Sequence, residues 1–137
     1  WGGTVNVWNL AQQRPVMSLS EPGLYTRTLA FSRDGTRLAL IFRQGDQGVL
    51  IKVLALATQE VVSEFPYEHR IRSLSFTPND RALLILDRNL AVHTWDFTEQ
   101  KLQMHYAGRP EEAQQYRRAL FSPDGRYLAR DSGSELA

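Results

Sequence analysis

The chain has 137 residues, 42% of them hydrophobic, with a formal net charge of +1; that is the length of one domain or a piece of one, and no apolar run nears the roughly 18 residues of a membrane span. Zero cysteines exclude disulfide staples and thiolate metal sites, so packing alone must hold the fold. The near-neutral charge gives no reason to expect nucleic acid or an anionic membrane as a partner, and the opening Trp1-Gly2-Gly3-Thr4 lacks the basic start and apolar stretch of a signal peptide, which sets the expected location as cytoplasmic.

Residues 4–10, Thr-Val-Asn-Val-Trp-Asn-Leu, alternate polar and apolar and are rich in β-branched and aromatic types, which predicts a strand. Ala11 to Arg14 is a polar connector. Pro15 to Leu19 predicts a second strand at a sheet edge, where a residue without an N–H costs little. Glu21-Pro22-Gly23 is turn chemistry. A strand from Leu24 to Ser32 then runs into a tight turn, and a strand from Arg37 to Arg43 follows.

That turn, Phe31-Ser32-Arg33-Asp34-Gly35, recurs as Phe76-Thr77-Pro78-Asn79-Asp80 and as Phe121-Ser122-Pro123-Asp124-Gly125. The three phenylalanines lie 45 residues apart, a period that signals stacked supersecondary units. Proline at the first corner presets φ, Asp bonds locally through its side chain, and Gly supplies the left-handed position that closes the hairpin. Arg33 replaces proline in the first copy. Asp80 replaces glycine in the second, and Asp is among the few non-glycine residues that enter the left-handed region at modest cost.

Between the hairpins, Gly48 to Leu56 and Leu90 to Phe97 align with residues 4–10, and each leads to another short strand, Glu60 to Phe65 and Leu102 to Tyr106. Trp8, Leu54 and Trp95 are equivalent, at steps of 46 and 41 residues. The difference is a longer hairpin tip at Gln44 to Gly48 and a compensating connection from Gly108 to Tyr116. There Pro110-Glu111-Glu112-Ala113 predicts a single helical turn. With strands named a, b, c and d, the hairpin joining a to b, the chain runs c-d, a-b-c-d, a-b-c-d, a-b. The predicted units are a half at 1–23, wholes at 24–66 and 67–107, and a half at 108–137. Connections this short cannot make parallel crossovers, so an all-β fold of antiparallel meanders is expected.

Phe121-Ser122-Pro123-Asp124-Gly125 with its two copies, and the strand-c endings Val7-Trp8-Asn9-Leu10 and Thr94-Trp95-Asp96-Phe97, resemble the WD-repeat (WD40) β-propeller family. Trp95-Asp96 is the dipeptide that names it, and the repeat length matches a four-stranded blade. The resemblance spans essentially the whole chain. It implies β-propeller blades, about three blades' worth, with Trp8, Phe31, Asp34, Gly35, Phe76, Trp95, Asp96, Phe121, Pro123, Asp124 and Gly125 as structural residues. The five aromatics among these are expected in the blade core. Departures are also visible. The Gly-His pair expected before strand a is missing, and Asp46 and Asp87 lie two residues early for the turn Asp. The blades are therefore expected to rest mainly on apolar packing. Closed propellers have about four to eight blades, so the rest of the ring is expected from the same longer chain or from a second copy.

For chemistry the sequence offers little. His93 and His105 sit inside strands, His69 is flanked by Glu68 and Arg70, and no pair has metal-ligand spacing, so no metal or cofactor is expected. Ser132-Gly133-Ser134 lacks the context of a nucleophile elbow. Gly2-Gly3 and the glycines at 45 and 48 precede no helix that would hold a phosphate. In propellers the d–a and b–c connections gather at one mouth of the channel. Here they contain Tyr25, Arg27, Tyr67, His69, Arg70, Arg88, Arg109, Tyr116 and Arg117, with Gln44 and Asp46. Tyr and Arg are enriched at interaction hot spots. The resemblance thus implies a non-catalytic interaction scaffold or sensor that binds a protein or peptide through this loop face. The same hairpin recurs in TolB-like propellers, which leaves an enzymatic or TolB-like propeller as the alternative. Trp8 and Trp95 favour the first.

Overall fold

The runs rich in β-branched and aromatic residues are built as strands. A computed structural model of the chain describes residues 3–46, 48–108 and 119–130, and every regular element among them is a β-strand. The predicted helical turn at Pro110 and the Ser132 cluster lie outside the described residues, as do Arg109, Tyr116 and Arg117. The chain divides into two units, residues 1–68 and 69–137.

In the first unit, β1 (Thr4–Asn9) pairs with β2 (Arg14–Ser20). Strands β3 (Leu24–Phe31), β4 (Arg37–Gln44), β5 (Gly48–Ala55) and β6 (Val61–Tyr67) form a four-stranded antiparallel sheet in chain order. In the second unit, β7 (Ile71–Phe76), β8 (Ala82–Asp87), β9 (Val92–Asp96) and β10 (Lys101–Tyr106) repeat that meander, and β11 (Ala119–Phe121) pairs with β12 (Leu128–Arg130). The fold is all-β, and the four-stranded meanders are β-propeller blades.

The core of the first unit follows from ladder register. Leu38 stands opposite Leu54, Leu40 opposite Lys52 and Phe42 opposite Leu50, on one face of the β4–β5 pair. Ala39 opposite Val53 and Ile41 opposite Ile51 make the other face. The β4 residues of both sets are buried, which is why β4 reads Leu-Ala-Leu-Ile-Phe without alternation. On the first face Val5, Val7 and Met17 of the two-stranded sheet join Leu24, Leu38, Leu40, Phe42 and Leu54 in one cluster. Each such side chain contributes about 1.5–3 kcal/mol by leaving water. Lys52, half-buried on this face, lays its ammonium 4.7 Å from the centre of the Phe42 ring.

Two of the expected core aromatics are not core. Trp8 is 56% exposed, because Val5 and Val7 occupy the covered face of β1 and Trp8 alternates to the opposite one, over which nothing in the described chain closes. Phe31 is 55% exposed. It stands opposite Leu38 on the edge strand of its sheet, and the apolar cluster that buries Leu24 and Leu38 does not include it. Phe76, by contrast, is 1% exposed, with its ring 5.6 Å from that of Phe97. The equivalent of Phe97 in the first unit is Leu56: both donate a backbone N–H across the a–b turn, Phe97 to Arg81 O and Leu56 to Thr36 O. Leucine gives Phe31 no ring to pack against. Trp95 and Phe121 are half-buried.

The three a–b turns share one hydrogen-bond network. In the first, Ser32 Oγ donates to Asp34 Oδ1 at 2.7 Å and accepts from Arg37 N at 3.0 Å, while Thr36 N and Oγ1 also donate to Asp34. Ser122 and Asp124 repeat this at 2.6 Å, and Thr77 with Asn79 at 2.8 Å. Gly35, Gly125 and Asp80 hold the left-handed corner at φ of 75°, 74° and 58°. The c–d turns have a matching feature that the sequence reading did not register: Gln13, Gln59 and Gln100 are all left-handed, at φ of 55°, 60° and 51°. Asp96 closes one of these turns by accepting from Thr98 N and Glu99 N, as Asn9 accepts from Gln12 N in another.

Phe76→Ala is expected to cost about 3–5 kcal/mol, and Phe31→Ala under about 1 kcal/mol, in urea unfolding of the same chain. Equal losses would place Phe31 in the core after all. The hydrogen bonds from Thr36 and Ser32 hold the Asp34 carboxyl at about 2, against an ordinary 3.8. A depressed carboxyl stabilises the fold above its unfolded pKa, and that contribution is lost as pH falls from about 4 through 2. Asn79 makes the same turn with an oxygen that does not titrate. Asp34→Asn should therefore fold and show a shallower fall in melting temperature across that window than the wild type; parallel curves would remove Asp34 from the acid response.

Candidate functional site

The first unit builds a cleft where its d–a connection meets the ends of β3 and β4. Gly23, at φ +84°, turns the chain so that its carbonyl accepts from Arg43 N at 2.8 Å. A Cβ there would press Arg43 O at 3.1 Å, so the close approach needs glycine. Gly3 N donates to Leu24 O at 3.1 Å, bringing the start of the chain beside β3. Tyr25 stands opposite Ile41, and the β3–β4 ladder resumes only at Ala30 opposite Ala39, so residues 26–29 bulge past the single residue Leu40. Bulges re-aim side chains, and Arg27 sits in this one. Gly3, Gly23, Leu24, Tyr25, Thr26, Arg27 and Arg43 line an open cleft of about 620 Å³.

Its electrostatics are one-sided. Arg43 lays its guanidinium 4.9 Å from the centre of the Tyr25 ring, a contact worth about 0.5–1 kcal/mol at an exposed site. Arg27 is exposed and has no acidic partner among the described residues, and none of the lining residues is acidic.

In the second unit, His69 and Arg70 precede β7, half-buried and exposed respectively. Arg88 N donates to Arg70 O at 2.9 Å, which stitches that segment to the β8–β9 turn. The turn hangs on Asp87. Its carboxylate is buried and accepts from Asn89 N at 2.9 Å and Ala91 N at 3.0 Å. Asp87 lies two residues early for the family's turn Asp, and from there its buried carboxylate closes the turn, adding a polar contact to packing that is mainly apolar. Leu90 is fully buried in the left-handed region at φ 67°, and Gly108 packs on its backbone so closely that a Cβ would collide with Asn89 O and Ala91 N. Arg88 is left exposed at the tip.

Of the expected loop-face residues, Tyr25 and Arg27 come together in the first unit, and Arg70 and Arg88 in the second. Tyr67 does not belong. It ends β6 opposite Val49 and is 5% exposed, so its ring is core. Arg43, which lies in β4 rather than in a connection, is absent from the expected set. Its signal is the repeat itself: Arg43 and Arg88 lie 45 residues apart, as successive members of Arg27, Arg72 and Arg117 do, in time with the phenylalanines. His105 Nε2 lies 2.8 Å from Thr94 Oγ1 on the outer strands. Among the described residues no three His, Asp or Glu side chains converge as a metal site requires, and no helix is long and apolar enough to cross a membrane.

No family model matches the chain. Among solved structures it is similar to Kuenenia stuttgartiensis hydrazine synthase, with a TM-score of 0.69 at 15% identity, over 94% of this chain and 43% of that one. At this identity the likeness is one of fold. The chain spans less than half the length of the protein it matches.

Proposed function

We propose that the chain is a non-catalytic interaction module: a segment of a WD-repeat β-propeller, in a larger protein, that presents its d–a and b–c connections to a protein or peptide. The observation that carries this reading is the meeting of Tyr25, Arg27 and Arg43 on an open cleft with no acid in its lining. Exposed arginine beside a part-buried tyrosine is the composition of an interaction hot spot. The WD-repeat assignment is supported by Asp96, whose carboxylate takes two N–H groups of the turn that follows Trp95.

The larger protein is supported by the open faces. Trp8, Leu10, Leu29 and Phe31 are exposed in the first unit, and every residue of β10 is exposed in the second. An adjoining blade is the natural cover for such surfaces. Light scattering on the isolated 137 residues tests the source of that cover. Self-association into ill-defined species fits further blades of a longer chain. A monodisperse dimer would instead assign the cover to a second copy.

For the binding face, a displayed peptide library selected against the chain should yield binders that either Arg27→Gln in the first unit or Arg88→Gln in the second weakens by about tenfold or more. Melting temperature should hold. Glu64→Gln and Lys101→Gln, on the outer strands, should leave affinity unchanged. Binders indifferent to the first pair and sensitive to the second would move the interaction off the loop face.

A further inference from the structure

We infer that the Tyr25–Arg27–Arg43 cleft takes the carboxylates of an acidic peptide segment laid along β3; this rests on the interaction-module reading and names the partner's chemistry. Three observations converge on it. The first is charge. Two guanidinium groups line one cleft, no lining residue is acidic, and Arg27 has no acidic partner among the described residues. A ligand that brings anions would find both guanidinium groups on one wall, able to form charge-assisted hydrogen bonds.

The second is geometry at Arg43. The Arg43 guanidinium carbon lies over the Tyr25 ring, 4.9 Å from its centre. A cation–π contact holds a guanidinium without pairing its N–H donors to an oxygen, and the ring restricts the side chain before the ligand arrives. Tyr25 therefore acts as a positioning residue for Arg43 and as an apolar wall for the peptide.

The third is main chain. Strand β3 is the edge of its sheet, and its ladder with β4 is interrupted over residues 26–29. Gly3 already bonds this edge at Leu24 O, so an added segment would extend along β3 beyond that point, where an edge strand is a template for extended chain. A nucleic-acid strand offers no matching N–H and C=O row, and two arginines in a chain of net charge +1 neutralise few phosphates. A volume of about 620 Å³ suits a few peptide residues.

The test uses fluorescein-labelled hexaglutamate peptide and its glutamine counterpart, with fluorescence anisotropy on the whole chain at low and physiological salt. Hexaglutamate should bind, more weakly as salt rises, and the glutamine peptide should not. Arg27→Gln with Arg43→Gln should weaken binding by about tenfold or more, and Tyr25→Leu by a smaller factor, while Lys101→Gln leaves it unchanged. Circular dichroism melts check that each variant folds, and Arg43→Lys, which keeps the charge but loses the fork, should recover only part of the affinity. Unaltered binding in the double arginine variant would overturn the cleft, as would equal binding of the glutamine peptide. If Arg88→Gln abolishes binding while the double variant does not, the cleft is wrong and the loop-face reading stands. If no loop-face variant matters, both fall. Stronger binding of a labelled oligothymidylate than of hexaglutamate would overturn the peptide class.

Discussion

A sheet that is apolar on both faces has to be covered on both, and this constraint governs the chain. In β4 and β5 neither side of the ladder is written for water: Leu38, Leu40 and Phe42 face one way, Ala39 and Ile41 the other, and all are buried. Stacking is then a condition of folding, because exposing either face would forfeit about 25 cal/mol for each Å² of apolar surface left in water. The two-stranded sheet β1–β2 meets the condition on one side by sending Val5, Val7 and Met17 into the β4–β5 face. Its own far face, with Trp8, is the next surface in need of cover.

Stacking of this kind works only if register is fixed, since a slip of one residue would exchange the two faces of a strand. The a–b turns fix it. The hydroxyl of Ser32, Thr77 or Ser122 sits between the corner Asp or Asn and the backbone N–H five residues on, where the chain enters the next strand, and its own backbone N–H bonds across the turn. Three turns of different sequence reach one geometry because the chemistry asks only for a hydroxyl, a side-chain oxygen two residues on, and a residue that accepts positive φ. Asn79 and Asp80 meet those terms as well as Asp124 and Gly125 do.

This division explains what could be read from the sequence. Hairpins, strand order and the half-unit at each end are local properties, carried by alternation and turn residues, and they were legible. Burial of Trp8, Phe31 and Tyr67 is not local. Trp8 and Phe31 hold the same repeat positions as Trp95 and Phe76, yet exposure depends on whether a neighbouring sheet covers that part of the face. Tyr67 fell in a connection because the strand was expected to end at Phe65, but β6 runs on to Tyr67, which pairs with Val49. Asp87 looked misplaced because a motif was sought at a fixed spacing, whereas a buried carboxylate needs only two N–H groups within reach.

The arginines carry the same lesson to the surface. A repeat supplies backbone positions, and each copy spends a position according to what surrounds it. At the strand-a position four residues before the phenylalanine, Arg27 lies exposed in a bulge beside an open cleft, whereas Arg72 is half-buried and has interactions of its own. The difference begins in the ladder. In β3 the interruption spans residues 26–29, and in β7 it spans only Arg72. A longer bulge leaves more of the strand edge unpaired and frees the side chain it carries. The irregular blade, rather than the regular one, is therefore the one that carries a long ladder interruption and an exposed cation together.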